Sequence, residues 1–361
     1  MTNRNRYFFY PCNTEKRNIQ KKNTQNMFTL KTHVESNTFT LQNALRISRH
    51  LQESSINSGD ETSIEISRFF CPLNLISNTH IAEINEDLFT SEARIKKQGD
   101  YIIYSQKEPR IKNTLYDSLY NTPTITKQNM KSFFMKYIYS LKKILLSLSL
   151  LREKEIVVGN IHPSTIWICD ECPYIHDFAT SFLYSDTERF YRDNRIKTSL
   201  FLPLEARILE FITKNDNFGM TMNDLENICE AFIGPGPYSL SALSIFDKTF
   251  LEEYNKRSIF SLRWVVNKSK QEVLCRMSQA FPSWNLYGLS IMYLLVMRDF
   301  FIRPNQVRFN NNQLLMNIYH QLRKNIAPEF EERDDEIKNM LILDNILFTS
   351  NVDDMREIGK T

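Results

Sequence analysis

Glycine is scarce in this sequence. Eight glycines are spread over 361 residues, and none precedes Gly59. A loop that cradles phosphates with bare backbone is therefore hard to build in the first 58 residues, because Cβ atoms stand in the way of close approach. Long apolar runs are lacking too. Ile144–Leu151 is interrupted by Ser147 and Ser149, and no stretch reads as long enough to span a membrane. Residues 1–27 are polar and carry no apolar core of signal-peptide length. The six cysteines (Cys12, Cys71, Cys169, Cys172, Cys229, Cys275) are scattered, as reduced thiols of a protein that is not secreted would be. Excess charge of one sign is also missing. A net charge of +3 gives no signature of a nucleic-acid binder, and the cluster Arg4, Arg6, Lys16, Arg17, Lys21 and Lys22 reads as a solvated tail.

What is present is apolar residues in periodic order. Hydrophobic residues make up 42% of the chain, enough for one large core or two lobes. Residues 1–27 read as a loose arm, or as one hairpin around Tyr7–Tyr10. Phe28–Val34 alternates like a strand, and Leu41–Gln52 has a helical apolar spacing broken by Ser48. Phe69–Leu75 and His80–Ile84 are two short strand candidates, Tyr101–Tyr104 is a buried strand, and Thr114–Leu119 is a short helix. The strongest helix is Thr126–Lys154. Its face is Phe133, Phe134, Tyr137, Leu141, Ile144, Leu145, Leu148 and Leu151. Ile156–Val158 follows, then a hairpin of Thr165–Ile168 and Cys172–His176 around Asp170 and Glu171. Residues 180–202 read as a long loop. Helices are expected at Leu204–Lys214, within Asn215–Phe281, and at Asn285–Met297, Leu314–Asn325 and Asp335–Leu347. The boundaries are an arm (1–27), a β-rich part (28–120), a helical part (121–350) with an insertion at about 206–282, and a tail (351–361). A β-rich part followed by a helical one predicts an α+β protein.

The chemistry is concentrated in residues 156–179. Phosphoryl transfer needs a carboxylate to accept the substrate proton, an Asn and an Asp to hold two metal ions, a Lys for the nucleotide phosphates and a flexible glycine-rich cover. The order helix, strand, loop, hairpin, Asp-Phe over 126–178 resembles the protein kinases, from their long helix to the Asp-Phe-Gly turn. By register Asn160 stands at the catalytic Asp position, Thr165 at the metal-binding Asn, His162 at the loop Lys, and Val158-Gly159 at the usual His-Arg. Asp177 and Phe178 keep the first two residues of Asp-Phe-Gly, and Ala179 replaces its Gly. Downstream, Phe201–Glu205 resembles the Ala-Pro-Glu element. Ser283–Ser290 resembles the start of the central helix, with Asn285 for its Asp. Arg323–Arg333 resembles the late element whose Arg pairs with the Ala-Pro-Glu carboxylate, which implies a Glu205–Arg333 ion pair.

The resemblance covers about 28–350. Its flavour is that of the divergent serine/threonine kinases of large DNA viruses. It implies a bilobal kinase-like fold with a reduced β-rich first lobe, and it makes Lys31 the candidate for the strand Lys that holds phosphates. The acidic partner of Lys31 should lie on the following helix, where only Glu53 is on offer. A carboxamide is not a base near neutral pH, and losing such a base removes about 10²–10⁴-fold in rate. The implied function is therefore that of a pseudokinase, a binding or scaffolding module for a protein partner, with weak or absent binding of ATP and magnesium through Lys31, Thr165 and Asp177. The alternatives are an active atypical serine/threonine kinase acting on a protein, and a virion component that uses the fold as a brick. The implied location is the host cytoplasm or the virion for a viral protein, and otherwise the cytoplasm. Cys169-x-x-Cys172, between His162 and His176, leaves open a zinc site or a reversible disulfide, against a reading of both histidines as ordinary loop and strand residues.

Overall fold

A computed structural model describes residues 28–36, 39–56, 69–81, 99–109, 113–120, 130–159, 161–188, 199–215, 219–300 and 312–349. The arm at 1–27, with its Tyr7–Tyr10 hairpin, and the tail at 351–361 lie outside them. The first part holds β1 (Phe28–Ser36), α1 (Phe39–Ile56), β2 (Leu73–Ile81) and β3 (Gly99–Pro109). The strands form one antiparallel sheet of order β1-β3-β2. The two strand candidates at 69–75 and 80–84 meet in one strand, β2, and 82–84 lie outside the described residues. A register shift between Leu75 and Ser77 puts its two halves out of phase, which hides the alternation from the sequence.

α1 explains its own polar interruption. Leu41, Ala44, Ile47 and Leu51 are buried, and the buried Ser48 hydroxyl accepts the Leu73 amide at 3.0 Å, so it fastens the start of β2 to the helix. Next come α2 (Leu115–Leu119), opened by a Thr114/Asp117 capping box, and α3 (Met130–Glu153). All eight residues of the expected apolar face of α3 are buried.

β4 (Ile156–Val157) pairs antiparallel with β7 (Phe182–Leu183). Between them lies the hairpin of β5 (Ile166–Cys169) and β6 (Cys172–Ile175). Asp170 and Glu171 both have positive φ, as a two-residue turn matched to strand twist requires. The expected long loop therefore contains a short strand.

The helical remainder comprises α4 (Leu204–Lys214), α5 (Met222–Ile233), α6 (Lys248–Leu262), α7 (Lys270–Met277), α8 (Phe281–Phe300), α9 (Gln313–Lys324) and α10 (Glu336–Thr349). Capping boxes at Thr221/Asp224 and Ser269/Glu272 start α5 and α7. The architecture is mixed α+β, with small sheets and a predominance of helix.

α8 is the core of the helical part. Trp284, Tyr287, Leu289, Ile291, Met292, Tyr293 and Leu294 are each 1% exposed or less. The run Lys270–Asp299 is long and apolar enough to cross a membrane, contrary to the expectation from sequence, but 83% of its apolar window is buried inside the protein. A helix apolar all round is what burial on every side selects. Gly288 is the point of closest approach. A Cβ there would stand 2.4 Å from Ile161 Cγ2 and 2.7 Å from the Phe201 carbonyl oxygen.

Candidate active site

The β4–β7 pairing ties both ends of 158–181, so the loop is built on a closed frame. Asn285, 1% exposed, fixes its base. Its Oδ1 accepts the Val158 amide at 2.8 Å and its Nδ2 donates to the Ile156 carbonyl at 3.0 Å. At Gly159 a Cβ would fall 2.1 Å from the Thr180 carbonyl oxygen, so the loop and the turn after Asp177 touch backbone to backbone.

His162, at the loop Lys position, turns its side chain back on the chain. Its Nδ1 accepts the Ser164 amide at 3.2 Å and lies 2.8 Å from Ser164 Oγ, which leaves the proton on Nε2. Burial lowers the His162 pKa from its ordinary value of 6.5. Thr165 is buried. Its hydroxyl donates to the His162 carbonyl at 2.8 Å and accepts the His162 amide at 3.1 Å, closing the turn Pro163–Thr165. The proton and one of the two lone pairs of the candidate metal ligand are thus used by the loop itself. Asn160 lies outside the described residues.

Asp177 is exposed, and its Oδ1 accepts the Ala179 amide at 2.9 Å. Phe178 does the reverse. Its ring is buried 6.2 Å from that of Phe70. The strand–helix part grips this turn at further points. Phe70 bridges Ile175, whose carbonyl accepts the Cys71 amide at 3.0 Å, and Gln106 Nε2 donates to the Cys71 and His176 carbonyls at 2.7 and 3.2 Å.

Gln106 also locates Lys31. The two are paired across β1 and β3, so their side chains share one face of the sheet, the face from which Gln106 reaches the residue before Asp177. The structure therefore brings Lys31 and Asp177 to the same side. The partner of Lys31 is Glu108, two residues along β3 on that same face, at 3.6 Å. Glu53 on α1 is exposed, and the expected strand-to-helix pair is replaced by a strand-to-strand one. Glu108 and Gln106 were missed in the sequence. They lie in the polar run Ser105–Glu108 at the end of β3, which reads as solvated, yet both are buried.

Glu205 at the start of α4 meets Arg333 at 2.8 Å, with side-chain exposures of 1% and 0%. Three of the five guanidinium N–H groups serve other acceptors: Nε the Ala327 carbonyl at 2.8 Å, Nη1 Ser283 Oγ at 3.1 Å and Nη2 the Pro328 carbonyl at 3.4 Å. Burial raises the Glu205 pKa, against the pull of Arg333. The implied ion pair is present, as a contact of charges and not a bidentate fork.

Cys169 and Cys172 face each other across the hairpin as free thiols, and the His176 ring is stacked on Trp167 with centroids 3.8 Å apart. Among the described residues no group of three or more His, Cys, Asp and Glu side chains could hold a metal ion. Asp177 presents an exposed carboxylate next to His176, whose carbonyl Gln106 holds from the sheet face that Lys31 shares. No protein-family model matches the chain, and no curated protein matches it.

Proposed function

We propose that the chain is a protein-kinase-like protein with impaired phosphoryl transfer, serving as a binding or scaffolding module for a protein partner. The observation that carries this reading is the Asn285 link. A residue placed by resemblance at the start of the central helix bonds the backbone on both sides of Val157, at the root of the loop placed by resemblance as catalytic. Two further placements meet in the same way. Glu205 touches Arg333, and Lys31 shares a sheet face with the residue that holds the backbone before Asp177. These three relationships, each between positions far apart in sequence, support the bilobal kinase-like reading.

The impairment rests on chemistry. Asn160 supplies no base. The Thr165 hydroxyl is committed to its own turn, and the chain has no glycine before Gly59 to cover phosphates. The exposed Asp177 favours residual binding of a magnesium nucleotide. Thermal shift with millimolar ATP and magnesium tests this: a stabilisation that disappears in Asp177→Ala supports nucleotide binding, and no shift leaves a nucleotide-independent scaffold.

A further inference from the structure

We infer that Asn43, oriented by Arg46, is a latch that fixes the turn bearing Asp177 to α1. Asn43 is 5% exposed. Its Nδ2 donates to the Ala179 carbonyl at 3.0 Å and to the Ser181 carbonyl at 2.6 Å, and its Oδ1 accepts from Arg46 Nη2 at 3.1 Å. Both amide protons are used, on two carbonyls of the turn, and the carboxamide oxygen is held as well.

The turn is closed from within by the same residues. Ala179 donates its amide to Asp177 Oδ1, and Ser181 donates its amide to the Phe178 carbonyl at 3.1 Å. Asn43 therefore takes the carbonyls of the two residues whose amides hold the Asp177 carboxylate and the Phe178 carbonyl. Arg46 continues the grip through an ion pair with Asp186, and His50 Nε2 lies 3.1 Å from the Lys154 carbonyl. Positions 43, 46 and 50 form one stripe along α1. Its other side, Ala44, Ile47 and Leu51, is buried in the core.

The consequence is a division of labour. Lys31 pairs within its own sheet, so it does not set the position of α1. Asn43 does, and it sets the geometry of Asp177 in the same act, which makes it a positioning residue. The latch stands whether or not the protein binds a nucleotide.

Hydrogen exchange of the full chain, without nucleotide, tests it. Asn43→Ala should speed exchange of the amides in 177–186 about tenfold or more, since one buried and one half-buried acceptor lose their donor. Protection of α8 should not change. Asn43→Asp, which keeps the volume but turns an acceptor towards two carbonyls, should do at least as much. Arg46→Ala, at a half-exposed site, should give a smaller increase in the same peptide and keeps the test open if Asn43 variants fail to fold. Exchange at 177–186 that is unchanged in all folded variants, or that rises in step with α8, overturns the latch.

Discussion

Arg333 reaches Glu205 at 2.8 Å in a place where neither side chain meets solvent. Two charges taken out of water together are poor evidence of net stability, but one left behind is expensive. Replacing Arg333 by Met should lower unfolding free energy by about 3–5 kcal/mol. The double variant Glu205→Leu with Arg333→Met should be less destabilised than either single one. Urea titrations of the three proteins check this. A double variant worse than both singles would show that the ions are worth more as a pair than their desolvation costs.

Asn285→Ala should be destabilising by about 2–4 kcal/mol, because it strands the buried Val158 amide and Ile156 carbonyl. Asn285→Asp keeps the acceptor for Val158 but sets a carboxylate against the Ile156 carbonyl, so it should not restore wild-type stability at neutral pH. Chemical denaturation of both variants measures the two effects.

Gly159→Ala places a methyl 2.1 Å from the Thr180 carbonyl oxygen and Gly288→Ala one 2.4 Å from Ile161 Cγ2. Overpacking of this kind should reduce stability by about 1–3 kcal/mol in each. The neighbour at Gly159 is backbone, so that variant should also disturb the Asp177 turn, visible as faster exchange at 177–186. Gly219→Ala, with open space around it, is the control and should fold like the wild type.

His162 gives a pH dependence with a definite sign. Burial depresses its folded-state pKa below the ordinary 6.5, so the unfolded chain takes up the proton first as pH falls. Its contribution is fully present above about pH 6.5 and is lost as pH drops below that towards the folded value. His162→Gln should flatten the melting-temperature profile below pH 6.5 and add no new slope between pH 7 and 8.

Much of this organisation was legible in the sequence, for physical reasons. Helix α4 begins and ends at Leu204 and Lys214, as expected from its apolar period. The apolar face of α3 and the hairpin around Asp170 and Glu171 follow from periodicity and turn chemistry. The Glu205–Arg333 contact came only through the family resemblance. What stayed hidden is local or relational. β7 is two residues long, too short for any period to register. The bulge in β2 breaks its alternation. Asn43 is one polar residue inside a helix, and nothing in its neighbours announces that it bonds a turn 136 and 138 residues away. Glu108 meets Lys31 from a neighbouring strand and not from a helix, because side-chain facing is fixed by register, which sequence alone does not give.

Transfer of radiolabelled phosphate from ATP, with magnesium, to a general protein substrate tests the central claim most directly. The wild-type chain should transfer nothing above the level of its Asp177→Asn variant. Transfer that is present in the wild type and disappears in Asp177→Asn would contradict an impaired kinase and make the protein an active one.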